Sequence, residues 1–133
     1  MNKTTQKTHL LTSKKLVGSV TSIENNTATV TLKITKEMVV DSFNLTHGGF
    51  VFGLADYAAM VAINEPTVVL AKAEVKFMKP VIINEELTAK ATISERVNEK
   101  KIVVNVHVFN QKDELVFEGD FVCFVLEKHI LEK

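Results

Sequence analysis

Seventeen residues from His47 to Ile63, HGGFVFGLADYAAMVAI, are apolar or small almost without interruption, whereas most of the rest of the chain alternates polar and apolar positions. A run this long, without a two-residue period, predicts a helix that opens on a His-Gly-Gly turn. After it the period changes to that of strands. In TVVLAKAEVKFM, Thr67 to Met78, Ala71, Ala73, Val75 and Phe77 alternate with Lys72, Glu74 and Lys76, which predicts a strand with one covered face limited by Pro80. Glu86 to Arg96 places Leu87, Ala89, Ala91 and Ile93 on one face, and Lys101 to Phe109 does the same with Ile102, Val104, Val106 and Val108. A fourth run, Leu115 to Leu126, is expected to be interrupted at Glu118-Gly119-Asp120. Asn98-Glu99-Lys100 and the residues 110–114 have hairpin chemistry, so these strands are expected to form an antiparallel meander. Before the helix, Leu16 to Ile23 and Thr27 to Ile34 predict two strands joined at Asn25 and Asn26, residues that tolerate a tight turn. Residues 35–46 read as a loop, and a short helix is expected within the first fifteen residues.

A helix apolar on nearly every side must be enclosed, because a surface helix needs a polar face. The predicted class is therefore α+β, with a curved antiparallel sheet wrapped around one central helix. Gly48, Gly49, Gly53, Ala55, Ala58, Ala59 and Ala62 keep the helix thin enough for backbone to approach it closely. One enclosed helix and one sheet leave little internal space for a ligand, which directs attention to a subunit interface.

The chain's 133 residues predict a single domain over 1–133. Sixteen basic and sixteen acidic residues cancel, which removes the general electrostatic argument for nucleic-acid binding. No segment has the uninterrupted apolar length of a membrane span, and MNKTTQKTHLLTSKK lacks the apolar run of a secretory signal, so a cytoplasmic protein with no membrane partner is expected. Cys123 is the only cysteine. Its place in FVCFVL predicts a buried strand residue rather than a catalytic thiol.

Asp56 is the only carboxylate in the helix, and its neighbours three and four residues away are Phe52, Gly53, Ala59 and Met60. Burying an acid without a partner is costly, so such a group is a candidate for chemistry. The alternative is a structural acid that caps a turn or pairs with a lysine from elsewhere. The residues alone leave both open.

THGGFVFGLADYAAMVAINEP, followed by VVLAKAEVKFMKPV and EELTAKATI, resembles the hotdog-fold acyl-CoA thioesterases, in particular the group that includes phenylacetyl-CoA thioesterase. The resemblance runs from about Val39 to Val97. It implies a hotdog fold, a six-stranded sheet around the central helix, and a homodimer or tetramer with active sites between subunits. It also implies acyl-CoA as substrate or ligand and no further cofactor. By resemblance Asp56 is the helix acid, acting as general base or nucleophile in thioester hydrolysis. Gly48 and Gly49 match the helix-start turn whose N–H groups hold the thioester carbonyl. His47 takes the motif His position, with a positioning role or a backbone hydrogen bond at the turn.

Two positions depart from that pattern. Several members of the group carry Asn six residues before the motif His and Gly three residues before it, where this chain has Asp41 and Asn44. Asn44 still tolerates positive φ. Asp41 cannot donate an amide hydrogen bond, and it would repel a second carboxylate nearby. For the ligand, Lys79 is the better candidate for the coenzyme A phosphates, while Lys72 and Lys76 read as a solvated face. Phe50, Phe52, Tyr57 and Met60 line an acyl tunnel or pack the core.

Three functions follow. The first is an acyl-CoA thioesterase. The second is a non-hydrolytic acyl-CoA-binding sensor or effector, a role hotdog domains also serve in bacterial lipid regulators; those carry a separate DNA-binding segment, for which the residues before Leu16 leave no room. The third is a hydratase or dehydratase, suggested by Asp41 and His47, although the spacing is one residue longer than in the hotdog hydratases and their proline is missing.

Overall fold

The computed structural model describes residues 4–133. Six strands and one long helix follow in the order β1 (Ser19–Glu24), β2 (Thr27–Lys33), α1 (Gly48–Ile63), β3 (Val68–Phe77), β4 (Glu86–Arg96), β5 (Lys101–Phe109) and β6 (Leu115–Val125). A single 3-10 turn, Lys36–Met38, precedes α1. The strands form one antiparallel sheet ordered β1-β2-β4-β5-β6-β3, and it wraps α1 in the hotdog manner.

The helix packs chiefly on β2, β4 and β5. Ala55, Ala58, Ala59 and Ala62 are all buried on it, and the sheet answers with buried Ala28, Ala89 and Ala91, of which Ala28 and Ala91 pair across β2 and β4. Small residues on both surfaces bring backbone close to backbone, while Leu54, Met60, Val61, Val104, Val106, Phe117 and Phe121 fill the remaining volume. Truncating Leu54, wholly buried, to Ala would cost about 2–5 kcal/mol. The helix ends at Asn64, whose φ of 56° is left-handed and whose N–H reaches the Met60 carbonyl at 2.9 Å.

Several expectations are corrected. The meander covers β4, β5 and β6 only. β3 does not pair with β4 but crosses to the far edge of the sheet, where it pairs with β6 from Val68↔Val125 to Phe77↔Phe117. The connection through Pro80 and residues 81–85 is tied to earlier chain instead, through the Leu45↔Ile82 bridge and the Thr46 N–H on the Val81 carbonyl. β6 runs unbroken through Glu118-Gly119-Asp120. Gly119 does not interrupt it; a Cβ there would lie 2.6 Å from the Val75 side chain, so the glycine makes room for the neighbouring strand. The covered face of β3 is incomplete: a register shift between Leu70 and Lys72 leaves Ala71 exposed, and Phe77 is 56% exposed. β1 starts at Ser19, three residues late, because Leu16 and Val17 belong to a turn whose N–H groups point back to Ser13 and Lys14.

No helix forms within residues 4–15; residues 1–3 of that expectation lie outside the described part. Residues 4–9 instead make an extended strap across the end of α1. Asn64 holds it, accepting the Lys7 N–H on Oδ1 at 2.7 Å and donating Nδ2 to the Thr5 carbonyl at 2.9 Å. Among the described residues no helix is long and apolar enough to cross a membrane.

Candidate active site

Asp56 sits in the middle of α1, and its Oδ1 is buried with no hydrogen-bond partner among the described residues. Among the described residues no ion pair reaches it. Burial pushes its carboxyl up to about 6. Burial, with a smaller contribution from the Asp56 charge, pushes the thiol of the buried Cys123 up to about 12. In front of Asp56 lies a cleft of about 430 Å³. Its walls include Val69 and Leu70 of β3, Thr8 and His9 of the strap, and His129 beyond β6.

The other end of α1 forms a second centre. His47 is the N-cap residue, with extended backbone and no side-chain capping bond, and no acid stands in the first turn. The leading N–H groups of a helix have no intrahelical partner, so those of Gly48 and Gly49 remain as donors at the positive helix end. Both glycines are held tightly. A Cβ at Gly48 would lie 3.1 Å from the Phe77 ring, and one at Gly49 would lie 3.0 Å from His47 Nε2. The His47 ring is therefore folded over Gly49, edge-on to the half-buried Phe50 at 6.1 Å. Its backbone N–H goes to the Met38 carbonyl. Gly48, Phe77 and Lys79 line an apolar cleft of about 240 Å³.

The two centres are not brought together within one chain. Seven or eight residues of helix separate the Gly48-Gly49 donors from Asp56, a rise of about 10–12 Å. A reacting carbonyl needs to lie about 3 Å from both the donors and the nucleophile.

Asp41 is exposed, and its Oδ1 accepts the Phe43 N–H at 3.0 Å and the Leu45 N–H at 3.2 Å. It thereby organises the loop before the His-Gly-Gly turn, in which Asn44 takes φ 65° and its carbonyl accepts the Ile83 N–H. Lys79 is ion-paired with Glu114 at 2.9 Å, so its charge is already matched, and Lys72 pairs with Glu74 at 3.2 Å. Tyr57 is buried, and its hydroxyl accepts Gln6 Nε2 at 3.0 Å; it carries the strap. The sequence reading passed over Thr8 and His9, which reach the Asp56 cleft from a polar segment without periodicity.

Residues 43–117 match the thioesterase superfamily model, more than half of the chain and a span that includes the His-Gly-Gly turn, Asp56 and Lys79. The chain belongs to the thioesterase superfamily. Asp41 and the strap fall outside that match. Among solved structures this thioesterase-superfamily chain is similar to the uncharacterized protein PH1136 from Pyrococcus horikoshii, at 54% identity and a TM-score of 0.96 over 99% of this chain and 100% of the other. Among curated relatives it is 45% identical over 120 residues to methylthioribose-1-phosphate isomerase of Aquifex aeolicus, which covers 90% of this chain but 26% of that protein. It is 27% identical over 130 residues to the transcription factor FapR of a Thermoanaerobacter strain, 96% of this chain and 64% of FapR. The chain therefore spans about a quarter of the first relative and just under two thirds of the second.

Proposed function

We propose that the chain hydrolyses acyl-CoA thioesters with Asp56 as the base. The observation that carries this reading is Asp56, a residue lining the cleft whose Oδ1 is buried without a partner among the described residues, in a thioesterase-superfamily chain. With its carboxyl near 6, Asp56 is largely ionised at neutral pH yet basic enough to take a proton. A water gives its proton to Asp56 as its oxygen bonds to the thioester carbon, and the carbonyl electron pair becomes an oxyanion held by the Gly48 and Gly49 N–H groups. Collapse breaks the C–S bond. The Asp56 proton passes to the departing sulfur, leaving the free acid and coenzyme A.

The axial gap between Asp56 and the glycines supports a site made by two copies, in which Asp56 of one faces the Gly48-Gly49 turn of the other. The outer edge of β3 has no strand partner among the described residues, which supports pairing along that edge. His47 packs over Gly49 and shapes the donor turn, while Phe50 and Phe77 line the approach. Lys79, released from Glu114, would meet a phosphate.

A second reading, an acyl-CoA-binding regulator without turnover, is favoured by the similarity to FapR and by Asp41, whose carboxylate stands where an amide donor is expected. The hydratase reading gains no observation of its own. Native mass spectrometry of the purified protein, followed by thiol release from an acyl-CoA panel, separates the two. Turnover lost in Asp56→Asn supports hydrolysis, and intact co-purified acyl-CoA without turnover overturns it.

A further inference from the structure

The strap over α1 ends in an unusual way. His9 has φ 55°, a left-handed conformation uncommon outside glycine, although histidine is among the residues that adopt it more often. Four residues hold this stretch in place. Asn64 grips Lys7 and Thr5, Gln6 bonds the Tyr57 hydroxyl and the Thr8 carbonyl, the buried Thr8 places its Oγ1 2.8 Å from His9 Nδ1, and Thr12 Oγ1 donates to the His9 carbonyl at 3.2 Å. The result is a half-buried imidazole, 6.3 Å from the Tyr57 ring, in the wall of the cleft that holds Asp56. With Nδ1 engaged by Thr8, Nε2 is the ring nitrogen left without a partner among the described residues.

We propose that His9 is a positioning residue of the hydrolytic site, its Nε2 accepting a hydrogen bond from the water whose other hydrogen Asp56 takes as a proton. The proposal rests on the hydrolytic reading above. An attacking water must direct a lone pair at the carbonyl carbon, and it does so when both of its hydrogens are held. Asp56 holds one. An imidazole that donates Nδ1–H to Thr8 Oγ1 presents an unprotonated Nε2 for the other. Burial lowers the His9 pKa, which keeps the ring in the neutral form this role requires.

Two measurements test it. The first needs no ligand: in long-range 1H–15N spectra of the imidazoles, Asp56→Asn should move the His9 Nε2 resonance, because the two share one cleft. In the second, His9→Phe keeps the ring volume and removes the acceptor, so kcat should fall about tenfold or more with KM changed by less than about twofold, and His9→Gln, whose amide oxygen can accept, should recover part of it. The melting temperatures of both variants are measured alongside. Wild-type kcat in a folded His9→Phe overturns the proposal, and so does a His9 Nε2 resonance unmoved by Asp56→Asn. A moved resonance in a protein that hydrolyses no acyl-CoA would refute the hydrolytic reading while supporting the shared cleft.

Discussion

Asn64 holds Lys7 across the end of the central helix, its Oδ1 accepting the Lys7 N–H at 2.7 Å while its own left-handed backbone terminates α1. One residue thus ends the helix and anchors the strap. Glycine also takes the left-handed conformation, so Asn64→Gly separates the two roles. It should keep the helix end but remove both side-chain bonds to the strap, lowering stability by about 1–3 kcal/mol. Hydrogen exchange should quicken at residues 5–9 and stay unchanged within α1. Equal acceleration in both segments would mean that the cap, not the strap, was lost.

Asp56 makes folding sensitive to pH. Its folded-state carboxyl is raised from 3.8 to about 6, so between those values the folded chain binds more protons than the unfolded one. The Asp56 contribution to stability is therefore fully present below about pH 4 and is lost as pH rises through about 6. Asp56→Asn removes that loss. Its melting temperature should exceed that of the wild type by more at pH 7.5 than at pH 4, and a gap independent of pH would contradict the buried, unpartnered acid.

The same titration governs activity. Because the base form is the ionised one, kcat/KM should rise through about pH 6 and level off above it. A pH–rate profile that is flat from 5 to 8 would remove Asp56 from the proton-transfer step.

Asp41 offers a change in the other direction. Asn keeps the Oδ1 that accepts the Phe43 and Leu45 N–H groups, so the loop should persist in Asp41→Asn, and the substitution adds an amide donor beside the His-Gly-Gly turn. Thioester hydrolysis should increase. Activity reduced to background would identify Asp41 as a functional acid and strengthen the hydratase reading.

The helix and the alternating strands were legible because each has a strong period: Ile102, Val104, Val106 and Val108 are all buried, as their spacing requires. The resemblance carried the hotdog arrangement beyond that. What sequence did not reveal depends on pairing across distance. Nothing within Val68–Phe77 says that its partner is β6 rather than β4, and Gly119 reads as a break until Val75 is seen beside it. The strap has no apolar pattern at all; it is set by polar bonds to Asn64 and Tyr57, which lie far along the chain. Asp56 was found because it was anomalous among apolar neighbours, whereas Thr8 and His9 lay in an ordinary polar segment.

The central claim is that Asp56 of one copy works with the Gly48-Gly49 turn of another, and subunit complementation measures it most directly. Asp56→Asn removes the base, and Gly48→Pro removes one donor at the first helical position, which suits proline once the exposed Phe77 ring gives by a few tenths of an ångström. Each variant alone, folded and dimeric, should be inactive. In a two-fold dimer of one of each, one site carries both lesions and the other carries none. Co-expressed in equal amounts with random association, about half the dimers are mixed, and about a quarter of wild-type activity should return. Mixed dimers that form but stay at the level of the two parents would contradict a site shared in this way.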